Sequence, residues 1–169
     1  MKSISIISIV LVILLGLFLW GYGGSKGTTA SVQGVTQTPA SASELTAAET
    51  LYDFGTISMK DGNVTKDFTV ENTTSKDIVL STVVTSCMCT TAYVVGPDEK
   101  TKGPFGMPGM GYTPPVNEVM KSGETRTVRV VYDPNAHGPA GVGRIDRFVT
   151  ITDATGGTLE LEVKALVTP

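Results

Sequence analysis

The fold is decided by the sequence TLELEVKALV at residues 158–167. Every second residue from Leu159 to Val167 is apolar, and Glu160, Glu162 and Lys164 alternate with them. Because successive side chains of an extended chain point to opposite sides, the apolar residues share one face and the charged residues share the other. This two-residue period predicts a β-strand with one buried face and one solvent face.

The same alternation recurs at intervals toward the N-terminus, and turn-forming residues such as Asp133-Pro134-Asn135 separate the segments. Strands are expected at residues 51–57, 63–73, 78–87, 126–132, 144–152 and 158–167. Short strands at regular spacing, without a long helical period, indicate an all-β protein. We therefore expect an immunoglobulin-like two-sheet sandwich over residues 49–169.

The chain begins with an uncharged apolar run from Ile4 to Trp20. Its length lies between the ~7–15 residues of a signal-peptide core and the ~20 of a membrane-spanning helix. No A-x-A cleavage pattern follows closely, so a signal anchor over residues 1–20 is favoured over a cleaved signal peptide. With Lys2 on the cytoplasmic side, the rest of the chain is expected in the periplasm or at the cell surface.

Residues 21–48 contain only two charged side chains, Lys26 and Glu44, and are rich in Gly, Ser, Thr and Ala. Such a segment buries too little apolar surface to offset the entropy of ordering it. It is predicted to be a flexible spacer between the membrane and the sandwich.

Composition argues against two broad classes of function. The chain has 13 Lys and Arg against 16 Asp and Glu, which leaves no basic surface for nucleic acid. It has one histidine, His137, and lacks a Gly-rich phosphate loop, a nucleophile elbow and a His-based zinc motif. No catalytic residue is therefore assigned, and the protein is expected not to be an enzyme.

Cys87 and Cys89 are the only cysteines. An oxidising compartment favours a disulfide between them. In a regular strand, however, their Cα atoms would lie ~7 Å apart, at the outer limit for a disulfide. Met88 between them disfavours the positive-φ turn that a glycine would allow. Two thiols facing the same way are therefore preferred, as a buried apolar pair or as ligands of a soft metal, unless a local turn or bulge in the backbone allows the disulfide.

Residues 97–122 form a Pro- and Gly-rich insertion that is predicted to lack a helix or a central strand. A long connection of this kind is often functional. Two uses are considered for it. Phe105, Met107, Met110 and Tyr112 are candidate contacts with a partner protein.

The other use is metal binding. Thiolate and thioether sulfurs suit Cu(I), so Cys87, Cys89, Met107 and Met110 are the candidate metal ligands. His137 is interpreted as a solvated turn histidine, with a role as a further metal ligand as the alternative. A thiol redox role is a third possibility, but the sequence shows no cation beside Cys87.

Four motifs carry a resemblance over residues 49–169: YDFGTI at 52–57, FTVENT at 68–73, SCMCT at 86–90 and VYDP at 131–134. In this order they resemble a family of bacterial exported Ig-like proteins of unknown function. That family is similar to the PapD-like and ASH or major-sperm-protein-like sandwiches. The chain departs from the family pattern in having Met88 where a glycine is usual, and in its long insertion.

The resemblance implies a fold and an envelope location, but no activity or cofactor. Together with the anchor, it leads us to expect a membrane-tethered module that binds another protein of the cell envelope. Cu(I) binding is the alternative function.

Overall fold

A computed structural model describes residues 41–110 and 114–169, which form ten β-strands and two 3₁₀ turns and contain no α-helix. The strands are β1 (Leu45–Ala47), β2 (Leu51–Ser58), β3 (Val64–Asn72), β4 (Ile78–Thr85), β5 (Thr90–Val95), β6 (Thr101–Phe105), β7 (Glu118–Met120), β8 (Thr125–Tyr132), β9 (Gly143–Asp153) and β10 (Thr158–Thr168). The 3₁₀ turns are Met59–Asp61 and Gly138–Gly141. The predicted all-β class is confirmed.

The strands form two five-stranded sheets. The first sheet has the order β1-β3-β8-β5-β6 and the second the order β2-β10-β9-β4-β7. Neighbouring strands are antiparallel except β2 and β10, which are parallel. The chain therefore changes sheet several times, and one of these changes, from β4 to β5, contains the two cysteines.

Nothing in the described part of the chain is a helix long and apolar enough to cross a membrane. The predicted anchor from Ile4 to Trp20, and the predicted spacer as far as residue 40, lie outside the described residues.

All six predicted strands are present, and their ends differ from the prediction by no more than two residues. The inward faces pack together as predicted: in β10, Leu161, Val163 and Val167 are each 1% exposed. Facing residues from both sheets fill the core, including Phe68, Val70, Leu80, Val83, Val94, Phe105, Val128, Val130, Val149, Ile151, Leu161 and Val163.

The predicted insertion is not structureless, because it supplies β6 and β7. Each is the last strand of its sheet, which agrees with the prediction that no central strand forms there. An edge position tolerates Pro104 within β6, because the missing N–H has no further strand to bond.

Ion pairs around Glu118 attach both insertion strands. Arg126 on β8 is 5% exposed and donates from Nε to Glu118 on β7 at 2.7 Å. Lys102 on β6 contacts the other Glu118 oxygen at 2.7 Å. Burial raises the pKa of Glu118, but these two cations outweigh it and lower the pKa below its usual value. The carboxylate therefore stays ionised and connects the edges of the two sheets.

The sandwich also begins earlier than residue 49. Residues 41–48, assigned to the spacer from sequence, include β1, whose Leu45 is 3% exposed. The Ser43 N–H donates to the Thr158 carbonyl at 2.9 Å. Gly157 permits this close approach, because a Cβ there would lie 2.8 Å from the Cα of Ser43.

The aromatic ring of Phe105 gives a direct test of the insertion's structural role. Phe105→Ala is expected to lower the free energy of unfolding by about 3–5 kcal/mol, because it leaves a cavity in the core. Urea denaturation would measure this change. Leu51→Ala, at a side chain 45% exposed, is the control and should change stability by less than about 0.5 kcal/mol. A loss equally small for Phe105→Ala would contradict the burial of this side chain.

Asp153 generates a prediction about pH. Its carboxylate accepts hydrogen bonds from the Ser43 hydroxyl (2.6 Å), the Thr155 hydroxyl (2.6 Å) and the Gly157 N–H (3.0 Å). Burial raises the pKa of Asp153, but these hydrogen bonds prevail and hold it below its usual value of 3.8.

A carboxyl with a lowered pKa stabilises the fold above its unfolded-state pKa, and this contribution is lost as the pH falls through the folded-state pKa. Asp153→Asn should therefore reduce stability at pH 7 and weaken the acid-induced loss below about pH 4. Urea titrations between pH 2 and pH 7 would measure both effects. Asp61→Asn, at an exposed position, is the control for charge removal alone. An unchanged acid response in Asp153→Asn would contradict this role.

Candidate functional site

The two cysteines lie in a tight turn that joins β4 to β5. The Thr90 N–H donates to the Cys87 carbonyl at 3.1 Å. The Thr85 hydroxyl lies 3.0 Å from the carbonyl oxygens of both Cys87 and Thr90. We call residues 86–89 the cysteine turn.

Cys87 and Cys89 form a disulfide, and their Cα atoms are 5.2 Å apart. The prediction that both thiols face one side of a strand is wrong. That prediction assumed that the strand continues to residue 87, whereas β4 ends at Thr85 because the chain leaves the second sheet there. The turn brings the Cα atoms well inside the range that a disulfide spans.

Two basic side chains from distant parts of the chain contact the sulfurs. His137 Nε2 lies 3.1 Å from Cys87 Sγ, and Arg147 Nε donates to Cys89 Sγ at 3.1 Å. The prediction that no cation lies beside Cys87 considered only neighbours along the chain. The fold brings His137 to Cys87 and the Arg147 guanidinium to Cys89 from 50 and 58 positions away. Only the pairing of β4 with β9 places Arg147 at the turn.

His137 is placed by the loop that follows β8. The Asp133 N–H at the start of this loop donates to the Cys89 carbonyl at 2.8 Å. The Asn135 side chain donates to the Met59 carbonyl at 2.8 Å, which holds the loop from its other side. His137 then precedes the 3₁₀ turn Gly138–Gly141. Its side chain is exposed, but it contacts a sulfur atom and is not only a solvated turn residue.

The two sulfurs differ in burial. Cys89 is 2% exposed and packs with Tyr132, Ile145 and Val167, whereas Cys87 is partly buried at the margin of the same cluster. Burial raises the pKa of the Tyr132 phenol, so this neighbour stays neutral at physiological pH. Because Cys89 and the residues packed against it are buried, solvent and other molecules reach the site from the side of Cys87 and His137.

The predicted metal ligands are only partly brought together. Ligand atoms of Cys87, Cys89 and His137 all lie within 4.8 Å of one another, and they form the one such His, Cys, Asp and Glu group among the described residues. His137, which the sequence argument kept only as an alternative ligand, is thus part of the group. No spacing rule could have found it, because the fold alone places it there.

Met107 and Met110 lie in a separate turn beside this group. The Thr85 N–H donates to the Gly106 carbonyl at 3.1 Å. The turn at residues 107–110 therefore begins directly after the residue that contacts the end of β4. The Met110 N–H donates to the Met107 carbonyl at 3.3 Å, and Gly109 has φ +84°. With Pro108 before it, this is the pattern of a type II turn. Met107 and Met110 are 36% and 59% exposed.

The predicted partner contacts divide between core and surface. Phe105 is 1% exposed and belongs to the core, so it is not available to a partner. Its inward direction follows from the pairing of β6 with β5, where it lies opposite the buried Ala92. Met107 and Met110 are at the surface, and Tyr112 lies outside the described residues.

Residues 45–102 match the family described as "Protein of unknown function (DUF1573)", which confirms the resemblance predicted from the motifs. The matched segment contains the cysteine turn and the strands on both sides of it. No curated protein matches the chain.

Solved structures with related folds come from diverse proteins. One is a protein of unknown function from Porphyromonas gingivalis W83, with 17% identity, a TM-score of 0.52, and coverage of 78% of this chain and 50% of that one. A family 123 glycoside hydrolase from Clostridium perfringens has 6% identity, a TM-score of 0.50, and coverage of 70% and 23%. The ASH/PapD-like domain of human CEP192 has 13% identity, a TM-score of 0.46, and coverage of 75% and 87%.

The chain thus spans about half the length of the first of these structures. Similarity at such low identity establishes the fold, which is an Ig-like β-sandwich, and leaves function to be argued from the site.

The disulfide generates a prediction about stability. Reduction should leave the sandwich folded and lower its free energy of unfolding by only about 1–2 kcal/mol, because the bond closes a ring of three residues. Urea denaturation with and without reductant would measure the difference. In the Cys87→Ser/Cys89→Ser double variant, reductant should have no effect. Unfolding of the wild-type protein on reduction alone would show that the ring supports much more of the fold.

Proposed function

We propose that this protein is a non-enzymatic, membrane-tethered Ig-like module that binds another protein of the cell envelope. In this proposal the apolar run from Ile4 to Trp20 holds the chain in the membrane, and the sandwich lies outside the cytoplasm. The binding surface is the end of the sandwich that carries the cysteine turn.

We define the cysteine end as the turns at residues 86–89, 107–110 and 133–142. They lie together because Ala92 near the start of β5 is opposite Phe105 at the end of β6, and Thr90 is opposite Tyr132 at the end of β8. Each of the three turns is therefore attached to a strand at the same end of the first sheet.

The observation that carries the proposal is the distribution of exposed apolar side chains. Seven large ones are exposed in the described part of the chain, and four of them lie at the cysteine end: Met88, Met107, Met110 and Val142. Large apolar side chains that cluster on a surface are typical of interaction sites. Methionine suits such a site because its flexible thioether side chain adapts to the shape of a partner.

Two further features support this reading. The disulfide between Cys87 and Cys89 fits an oxidising compartment outside the cytoplasm, as the anchor also predicts. The turns of the cysteine end are loops on a rigid sandwich, and loops in this position often carry the binding function of a β-sandwich. The partner expected here is a protein with an apolar contact surface, and no nucleic acid is involved because the chain lacks a basic surface.

Site-specific photo-crosslinking would test the proposal in cells of the native host. A photoreactive amino acid in place of Met88, Met107 or Met110 should give the same discrete crosslinked species from all three positions. Leu51 and Val119 are matched controls, with side chains 45% and 47% exposed. They lie at the other end of the sandwich, since Leu51 begins β2 and Val119 is opposite Val79 near the start of β4.

Replacing both Met107 and Met110 by Asp should abolish the crosslink from Met88, because it places charge in an apolar contact. Crosslinks of equal yield from Leu51 and Val119, or none from the methionine positions, would reject the cysteine end as the binding surface.

A further inference from the structure

We propose that reduction of the Cys87–Cys89 disulfide creates a soft-metal site, in which both sulfurs and the Nε2 atom of His137 bind one Cu(I) ion. The proposal goes beyond the interaction function and does not depend on it. It rests on the position of three ligand atoms, two of which are joined to each other in the oxidised protein.

The geometry requires little movement. Metal–sulfur bonds of about 2.3 Å and a metal–nitrogen bond of about 2.0–2.1 Å place neighbouring ligand atoms about 3.6–4.0 Å apart in a tetrahedral or trigonal site. His137 Nε2 is already 3.1 Å from Cys87 Sγ. Once the disulfide opens, rotation about the two Cα–Cβ bonds separates the sulfurs while the Cα atoms keep their distance of 5.2 Å.

The ligand types select the metal. Thiolate sulfur and imidazole nitrogen both bind copper, and thiolates favour Cu(I) over harder ions. Three ligands suit Cu(I), which is stable with trigonal coordination. Structural zinc sites almost always have four protein ligands, and the described residues add no fourth His, Cys, Asp or Glu to this group.

The surroundings of the sulfurs fit a thiolate site. Two thiolates and one Cu(I) ion carry a net charge of about −1, and the Arg147 guanidinium at 3.1 Å from Cys89 Sγ offsets this charge. The Cys89 N–H points at Cys87 Sγ at 3.3 Å and donates a second hydrogen bond to sulfur. Such outer contacts orient ligands and tune their affinity. Partly buried Cys87 and exposed His137 leave a route for the ion.

The oxidation state of the sulfurs then controls binding. A protein dithiol or a small dithiol attacks the Cys87–Cys89 bond, transfers two electrons and two protons, and itself becomes a disulfide. The two cysteine thiols formed in this way release their two protons when Cu(I) binds to the sulfurs. When a protein disulfide accepts two electrons from the two thiolates and two protons from solvent, it becomes a dithiol, the Cys87–Cys89 bond forms again and Cu(I) is released.

The full chain, purified in detergent, is suitable for the test. Oxidised and reduced samples would be mixed anaerobically with Cu(I) in competition with a chromophoric Cu(I) chelator. The reduced protein should retain one Cu(I) per chain and the oxidised protein none. Equal copper binding by both forms, or none by the reduced form, would overturn the proposal.

Variants assign the ligands. His137→Ala should weaken Cu(I) binding by more than about tenfold, because it removes a ligand at an exposed position that the fold does not need. Met107→Leu/Met110→Leu is the matched control and should bind as tightly as the wild-type chain. If the double methionine variant loses affinity and His137→Ala does not, the third ligand is a thioether and the assignment of His137 is wrong.

X-ray absorption at the copper edge gives an independent readout. The proposed site should show two sulfur ligands and one nitrogen ligand, and the nitrogen should be absent in His137→Ala. The last measurement compares the affinity of the reduced protein for Zn(II) with its affinity for Cu(I). Tighter binding of Zn(II) than of Cu(I), measured against competitors of known affinity, would overturn the choice of metal.

Discussion

The chain crosses from one sheet to the other within four residues, and the candidate site depends on this constraint. β4 ends in the second sheet at Thr85 and β5 begins in the first at Thr90. Because the connection is so short, it folds into a turn. The Thr85 hydroxyl lies within hydrogen-bond distance of the carbonyl oxygens of Cys87, inside the turn, and Thr90, just after it. The turn brings Cys87 and Cys89 close enough to bond. A strand running straight through these residues would have kept the sulfurs apart.

The same crossing explains the chemistry around the sulfurs. The turn lies beside the end of β8 and the middle of β9, and the loop between these two strands carries His137. β9 pairs with β4 and supplies Arg147 to the buried sulfur. A cation therefore contacts Cys89 and an imidazole contacts Cys87. The two cysteines differ in exposure because Cys89 enters the core while Cys87 remains at its margin.

The Pro- and Gly-rich insertion shows where sequence patterns are weak guides. Its composition correctly excluded a helix and a central strand, but it concealed two short edge strands, since edge strands need few ladder hydrogen bonds and tolerate proline. Phe105 looked like an exposed loop residue because proline and glycines flank it. Pairing with β5 turns it inward. No local pattern marks Glu118 as a structural residue, and only its contacts with Arg126 and Lys102 reveal that role.

The sequence by itself determined the all-β class, the six longer strands and, where the alternation is clear as in β10, the buried face, because a two-residue period of apolar side chains is a local property of the chain. It also named the two cysteines and the surface methionines. Only the tertiary structure decided that the cysteines lie in a turn, that His137 and Arg147 contact their sulfurs, and that Phe105 belongs to the core. These contacts join residues far apart in the chain. They arise from strand pairing and sheet packing, which no local pattern encodes.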